Sequence, residues 1–215
     1  MNEANVRETK DRILDAAERL FALHGIEATS LRQITRDAKV NLAAVNYHFN
    51  SKDELIRSVY CRRIRPMNES RLARLHTLET NEATTLEAIL EAFYEPTIDM
   101  ALSLQNQGFT IGQMMGRLYT EPHGAMQSLI VTEMGEVARL FALALGRTLP
   151  HLSQREVFWR LHFTIGMLAH TMAAGEKLKH LSQGLINPHD KQEVLRQMIT
   201  YAKAGLSAPS LEPTP

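Results

Sequence analysis

Apolar residues recur at helical spacing along nearly the whole of this 215-residue chain, and this periodicity is the feature that most constrains its fold. Strand-like alternation of apolar and polar residues is absent, and glycine and proline are expected between the periodic segments rather than within them. Apolar residues account for 44% of the chain, which is enough to build a core. The sequence therefore predicts an all-α protein.

The N-terminal quarter carries the signals of three helices and the start of a fourth. The first helix is expected to end at Gly25, and the pair Thr29 and Ser30 is expected to supply the N-cap of a short second helix. Asn41 opens a short third helix, while Ser51 and Glu54 have the spacing of a capping box at the start of the fourth. Two short helices joined by a tight turn and braced by a longer one are the arrangement of a helix-turn-helix.

The rest of the chain predicts a C-terminal helical bundle, which brings the total to about nine helices. The expected ranges are about 85–105, 108–119, 122–147, 154–180 and 190–206. The domain boundaries that follow are a helix-turn-helix domain at 1–52, a connecting helix at 53–78, a larger helical domain at 79–206 and a disordered tail at 207–215.

The net charge of zero hides an asymmetry between the two parts of the chain. Residues 1–65 carry 12 basic and 9 acidic side chains, whereas residues 66–215 carry 12 basic and 15 acidic ones. No apolar stretch is long enough for a membrane span, and the N-terminus lacks the apolar region of a signal peptide, so the cytoplasm is expected. The single cysteine, Cys61, is expected to have a packing role.

The segment from Ile13 to Leu55 resembles the DNA-binding signature of the TetR/AcrR family. The resemblance rests on the spacing of Phe21, Gly25, Ile34, Ala38, Val40, Tyr47, His48, Phe49, Lys52 and Leu55. It implies a DNA-binding transcriptional regulator, usually a repressor, whose third helix enters the major groove and which binds a pseudo-palindrome as a dimer. Ala43 and Asn46 depart from the commonest pattern of the family, which has glycine and tyrosine there.

The expected DNA-binding residues lie on the second and third helices and at the start of the fourth. They are Thr29, Ser30, Arg32, Asn41, Leu42, Ala43, Ala44, Asn46, Tyr47, His48 and Lys52. Hydroxyls, backbone N–H groups and cations suit phosphate, whereas Arg32 suits guanine and Asn46 suits adenine. Asn46 could instead bond only water. Tyr47 could pack against the first helix, and His48 could be a helix cap.

The last two helices are expected to form a two-fold dimer interface. The segment from Val157 to Ile165 is apolar nearly all round, so one face needs a partner outside its own core. The interface residues expected are Trp159, Phe163, Gly166, Ala169, Ala173, Leu195, Met198 and Ile199. The alternative is that both apolar stripes belong to the internal core.

The middle helices have many methionine and aromatic side chains, which suit an adaptable apolar cavity for a small-molecule effector. The residues expected to line it are Phe93, Met100, Leu104, Met114, Met115, Tyr119 and Met134. Methionines at helical spacing can equally be core filler. Segments 158–163 and 41–49 also resemble a fatty-acid-sensing subset of the family, which implies an apolar ligand with an acidic head group near Arg117, Arg139 or Arg160.

An enzyme and a helical lipid-binding or scaffold protein are the alternatives to a regulator. No nucleophile-elbow, phosphate-loop or His-Glu-x-x-His motif occurs, which argues against an enzyme. His162 and His170 lie roughly 12 Å apart along a helix, too far to share one metal ion, and no metal or cofactor is expected. A helical lipid-binding or scaffold protein would leave the capped helices of 29–52 unexplained. The family resemblance implies that an effector shifts the fourth helix and so changes the spacing of the two reading helices.

Overall fold

The computed structural model describes residues 3–80, 84–103, 114–115 and 124–211, which form helices and their connections, with no strand among them. The N-terminal helices are α1 (Glu3–His24), α2 (Leu31–Asp37), α3 (Leu42–Phe49) and α4 (Lys52–Glu79). The others are α5 (Leu86–Ser103), α6 (Gly124–Leu129, a π-helical turn at Ile130–Met134, and Gly135–Thr148), α7 (Gln154–Leu181) and α8 (Lys191–Leu206). The prediction of an all-α fold is confirmed.

The short helices begin where the sequence places their caps. Ser30 forms a reciprocal capping box with Gln33, and the Asn41 side chain accepts a hydrogen bond from the backbone N–H of Ala44. Ser51 caps α4 through the N–H of Glu54, but its own N–H donates to Phe49 O. The box expected there is therefore only half formed.

Two prolines lie inside helices, so the expectation that they fall only between helices is wrong. Pro66 is in α4 and Pro96 is in α5. Each proline removes one backbone hydrogen bond from its helix. Burial of apolar side chains along α4 and α5 against the rest of the protein offsets that loss.

The buried apolar side chains form two clusters that do not follow the division expected after residue 52. The first cluster joins α1, α2, α3 and the N-terminal half of α4 to Met114, Met115 and the beginning of α6. The second joins the end of α4 to α5, the rest of α6, α7 and α8. Helix α4 therefore contributes to both clusters, and the reading helices share one core with part of the larger domain.

Residues 207–211 are fixed against α7, which corrects the expectation that disorder begins at residue 207. Arg160 donates to the carbonyl oxygens of Ala208 and Pro209 at 2.6 and 2.8 Å, and Glu156 accepts from the Leu211 N–H at 2.7 Å. The two charged side chains of α7 supply hydrogen-bond partners for the backbone of this segment, which cannot be foreseen from the composition of the segment itself. Residues 212–215, like the greater part of the helix expected at 108–119, lie outside the described residues.

Candidate nucleic-acid interface

Helix α3 buries one narrow side and leaves the other free. Val45 and Phe49 are 1% and 3% exposed and belong to the first core cluster. Leu42 is 44% exposed, Tyr47 is 68% exposed, and the short side chain of Ala43 is also open to solvent. Because one side of α3 is anchored in the core, its exposed side is available to enter a DNA groove.

The turn between α2 and α3 is held from α1 by Arg12. The Arg12 guanidinium donates to the carbonyl oxygens of Ala38 at 2.6 Å and Lys39 at 2.9 Å. Lys39 has a φ of 53°, in the left-handed region that is unfavourable for a side-chain-bearing residue. Sequence reasoning missed Arg12, although its position on the bracing helix was available as a signal. The contact fixes the angle between α2 and α3.

Thr29 has a structural role, so the expectation that it contacts phosphate is wrong. Its side chain is buried, and its hydroxyl donates to the carbonyl oxygen of Gly25 at 2.7 Å. Its backbone N–H donates to Ile26 O at 3.3 Å. Gly25 has a φ of 86°, which ends α1, and the Thr29 hydroxyl stabilises the turn that follows.

Ser30, Arg32 and Asn41 lie on the exposed surface beside α3. The oxygen of the Ser30 side chain accepts from the Gln33 N–H, and the Asn41 side chain is used in capping α3. Arg32 is left to reach outward from the first turn of α2. Ser30 and Asn41 therefore combine a capping role with exposure at helix N-termini, where phosphates are favoured.

Tyr47 and His48 form an edge-to-face pair at the C-terminal end of α3, with ring centroids 5.1 Å apart. Tyr47 projects into solvent, so it does not pack against α1 as one sequence interpretation allowed. Partial burial, together with the positive charge of Lys10, lowers the pKa of His48 below its usual value. A nearby anion would favour the protonated form of His48.

Lys52 lies near the surface at the start of α4, and its side chain makes a hydrogen bond within the protein. Its amine donates to the carbonyl oxygen of Ile26 at 2.8 Å, which ties α4 to the turn after α1. The side chain is partly buried. Any phosphate contact by Lys52 therefore has to use the remaining N–H bonds of its ammonium group.

Helix α4 is tied to α1 by ion pairs near its middle. Arg63 donates two hydrogen bonds to the Glu18 carboxylate, at 2.8 and 3.0 Å, and Glu18 is 1% exposed. The neighbouring Arg62 pairs with Asp15 at 2.5 Å on the surface. These contacts join the middle of α4 to the helix that braces α2 and α3.

The next turns of α4 are bonded to the larger domain. Arg65 donates twice to the Glu133 carboxylate, and Asn68 donates to the Glu133 carbonyl oxygen at 2.6 Å. The Arg65 hydrogen bond holds the pKa of Glu133 below its usual value. Arg71 is 1% exposed, lies over the Phe93 ring and donates to Phe93 O at 2.9 Å. The two ends of α4 therefore contact different parts of the molecule.

The residues expected to line an effector cavity are divided between the two core clusters. Met114, Met115 and Met134 are buried in the first cluster, and Met100 packs against it. Phe93 is in the second cluster, where its ring meets that of Phe141 at a centroid distance of 5.0 Å. Leu104 and Tyr119 lie outside the described residues, as does Arg117.

The expected dimer residues separate into an exposed and a buried set. Trp159 and Phe163 are 54% and 63% exposed on α7, and Gly166 lies on the same open side. Leu195 and Met198 are buried in the second core cluster, so their assignment to the interface is wrong. The apolar stripe of α8 faces its own subunit, because α8 packs against α5 as well as α7.

Sequence comparison identifies both parts of the chain. Residues 13–59 match the sequence family described as bacterial regulatory proteins, tetR family. Residues 91–205, more than half of the chain, match the tetracyclin repressor-like C-terminal domain. The chain belongs to the TetR family. This TetR-family protein is a helix-turn-helix, DNA-binding transcriptional regulator, and the enzyme alternative is set aside because the family and the relatives below are regulators.

Two curated relatives align with this regulator over more than two thirds of their own length. The uncharacterized HTH-type transcriptional regulator TtgW of Pseudomonas putida is 36% identical over 93 residues, which are 43% of this chain and 69% of TtgW. The HTH-type nicotine-responsive transcriptional repressor HdnoR of Paenarthrobacter nicotinovorans is 25% identical over 151 residues, 70% of this chain and 76% of HdnoR. Other curated regulators align over less than half of their own length.

The fold of this TetR-family regulator is shared with solved structures of low sequence identity. The fatty acid degradation regulator FadR from Bacillus halodurans superimposes with a TM-score of 0.65 at 15% identity, covering 92% of this chain and 96% of FadR. This likeness concerns the fold alone. Among the described residues, no helix has the length and apolar character needed to cross a membrane.

Proposed function

We propose that this regulator is a ligand-responsive repressor that binds a pseudo-palindromic operator as a dimer, with α3 of each copy in the major groove. The observation that carries this proposal is the open side of α3, from Leu42 to Tyr47, on a helix whose opposite side is locked into the core. Arg12 adds rigidity to the turn before it. A reading helix held at a fixed angle is what direct readout requires.

The proposed contacts divide into base readout and phosphate binding. Arg32 and Asn46 suit guanine and adenine edges, and Leu42, Ala43 and the half-buried Ala44 can contact thymine methyl groups. The phosphate-binding residues proposed lie at the two ends of α3 and at the N-termini of α2 and α4; they are Ser30, Asn41, Tyr47, His48 and Lys52.

The dimer proposed here uses α7 and α8. Trp159, Phe163 and Gly166 are exposed along one side of α7, and the partly buried Ala169 and Ala173 continue this side with small residues. Ile199 of α8 is also partly buried. Large exposed rings followed by small residues suit close packing of one helix against a symmetric copy.

The effector proposed is a small, largely apolar molecule, with acyl compounds as the first class to test. Support comes from the buried methionines near α4, namely Met114, Met115 and Met134. Arg139, on α6, is the exposed cation that an acidic head group could reach. Because α4 is bonded to Glu133 on one side and to Glu18 on the other, a ligand that displaces α6 would move α1 and the reading helices.

Selection of binding sequences from a random pool of duplex DNA tests the DNA-binding proposal directly. The expected result is a pseudo-palindrome whose half-sites have a fixed spacing, because a two-fold dimer presents two copies of α3. Tyr47→Ala should abolish the enrichment while the helical circular dichroism spectrum is unchanged. The matched control is Val131→Ala, since Val131 is 74% exposed on α6, outside both α3 and the proposed dimer surface. A single, unpaired motif would contradict the dimer, and no motif from a folded protein would contradict sequence-specific readout.

Thermal unfolding in the presence of candidate effectors tests the ligand class. Acyl compounds should raise the midpoint and reduce operator binding in parallel, because a ligand that binds one state stabilises that state. Stabilisation by planar cationic compounds alone would contradict the proposed class.

We also propose that the protein acts in the cytoplasm, because residues 13–59 match a family of bacterial regulatory proteins, whose DNA operators lie there.

A further inference from the structure

The segment that follows α8 is held in place by Arg160. The Arg160 guanidinium donates to the last carbonyl oxygen of α8, Leu206 O, at 2.8 Å. It also donates to two carbonyl oxygens of the following segment, Ala208 O at 2.6 Å and Pro209 O at 2.8 Å. These are charge-assisted hydrogen bonds to backbone oxygens, which are stronger than neutral ones. The path of the chain after α8 is therefore fixed by one side chain of α7.

Glu156, one helical turn before Arg160, holds the end of the same segment. Its carboxylate accepts from the Ser210 hydroxyl and from the Leu211 N–H, both at 2.7 Å. Glu156 is 7% exposed and lies 3.6 Å from the Arg160 guanidinium. A nearly buried ion pair is thus completed by the segment 207–211, which we call the C-terminal strap.

The strap places an apolar side chain beside the open aromatic side of α7. Leu211 is 92% exposed, although its backbone is fixed. It lines an open cavity of about 450 Å³ together with Trp159 and Phe163, whose rings are stacked at a centroid distance of 5.8 Å. Three large apolar side chains therefore line one open cavity. No described residue of the same subunit fills it.

We propose that the C-terminal strap is part of the dimer surface and that a second copy of this chain covers Leu211, Trp159 and Phe163. This inference rests on the proposed dimer of α7 and α8, and it adds a third element to that interface. The occupant is a second copy because the strap continues the surface on which that dimer is proposed to form. A regulator that reads two half-sites also needs two copies.

This surface has hollows beside its projecting rings. A second, smaller cavity of about 90 Å³ lies between α7 and α8, lined in part by Phe163, Tyr201 and Gly205. Tyr201, which projects beside it, is 75% exposed. Projecting rings and hollows therefore alternate across one side of the subunit. A two-fold axis places the same patch opposite itself, so that a ring of each copy can enter a hollow of the other.

The area also favours a contribution from the strap. At 28 and 16 residues, α7 and α8 are roughly 42 and 24 Å long and about 10 Å wide. Their combined footprint is on the order of 650 Å², below the roughly 800 Å² per partner of a stable interface. The strap adds surface next to the exposed aromatic residues and brings the area closer to that value.

The test replaces Leu211 by serine in the full-length protein and measures the dimer dissociation constant by sedimentation over a dilution series. The expected result is a dissociation constant raised about 100-fold, because each dimer has two copies of Leu211 and burial of one leucine is worth about tenfold. The matched control is Leu23→Ser on α1, where Leu23 is 49% exposed and outside the proposed surface. The control should change the constant less than threefold.

A third variant separates this inference from the proposed dimer. Phe163→Ser should dissociate the dimer if α7 forms the interface. If Phe163→Ser weakens the dimer and Leu211→Ser leaves it unchanged, the strap inference is overturned and the dimer of α7 and α8 stands. If neither variant has an effect on a dimeric protein, or if the wild-type protein is a monomer, the interface itself is placed wrongly. Thermal midpoints of the monomeric fraction check that each variant is folded.

Discussion

The buried ion pair between α1 and α4 allows a quantitative prediction. Arg63 donates two hydrogen bonds to Glu18, whose carboxylate has almost no contact with water. Arg63→Met would leave that carboxylate with Arg62, 3.9 Å away, as the cation that remains close to it. A buried charge with a weakened partner is strongly unfavourable, because the protein interior solvates it poorly.

The magnitude follows from the exposure of the two partners. Removal of one member of a buried ion pair lowers the free energy of unfolding by about 3–5 kcal/mol. The side chain of Arg63 is 21% exposed and Arg62 remains nearby, so we expect a loss at or below the lower limit of that range, about 2–3 kcal/mol. The control is Arg62→Met, which breaks a pair with the well-exposed Asp15 and should lower it by less than about 1 kcal/mol.

Urea unfolding at one fixed protein concentration measures these differences, since dimerisation would otherwise change the apparent stability. The double variant Glu18→Leu with Arg63→Met replaces the pair by apolar side chains and should lie within about 1 kcal/mol of the wild type. Equal destabilisation by Arg63→Met and Arg62→Met would refute the argument. A double variant whose loss equals the sum of the single losses would refute it as well.

Three further predictions concern a helix cap and two titratable groups. Asn41→Ala removes the cap of α3 and should lower the free energy of unfolding by about 1 kcal/mol in urea titrations, whereas Asn41→Ser should retain most of it. Operator affinity, measured by fluorescence anisotropy, should rise as the pH falls from 7.5 to 5.5, because a phosphate raises the lowered pKa of His48 and binding takes up a proton; His48→Gln should abolish this dependence. Hydrogen bonds from Lys191 and then Arg74 hold the pKa of Glu95 below its usual value. The stabilising contribution of Glu95 is therefore complete above about pH 4.3 and is lost as the pH falls through the folded pKa. In urea titrations between pH 3 and 6, the free energy of unfolding of Glu95→Gln should depend less on pH than that of the wild type.

The sequence predicted the helices of the reading domain because their signals are local. Gly25, Ser30 and Asn41 act within a few residues of their own position, and each has the structural role expected of it. The exposure of Tyr47 was one of two open interpretations, since a ring at the end of α3 could have packed inward. Local patterns therefore determine where a helix starts, but they do not determine which side chains remain outside.

The corrections to Thr29, to the apolar stripe of α8 and to the C-terminal strap all concern contacts that form only when the chain folds. Thr29 has the chemistry of a phosphate ligand, yet its hydroxyl bonds to Gly25 O after the turn closes. Leu195 and Met198 form an apolar stripe that suited a dimer as well as a core, and the packing of α8 against α5 decided for the core. The strap could not be predicted from its own composition because its partners, Glu156 and Arg160, lie about 50 residues earlier.

Pro66 gives α4 an uneven mechanical stiffness. Because proline has no N–H, the Arg62 carbonyl lacks its helical partner four residues on, and the helix is easiest to bend there. The bonds from Arg62 and Arg63 to α1 start in the first half of the turn 62–66, whereas those from Arg65 and Asn68 to Glu133 start at its end and just beyond it. In the proposed mechanism, a displacement that arrives from α6 would cross the weakest point of α4 within one helical turn. The fraction of it that reaches α3 depends on how well the bonds on both sides keep that turn straight.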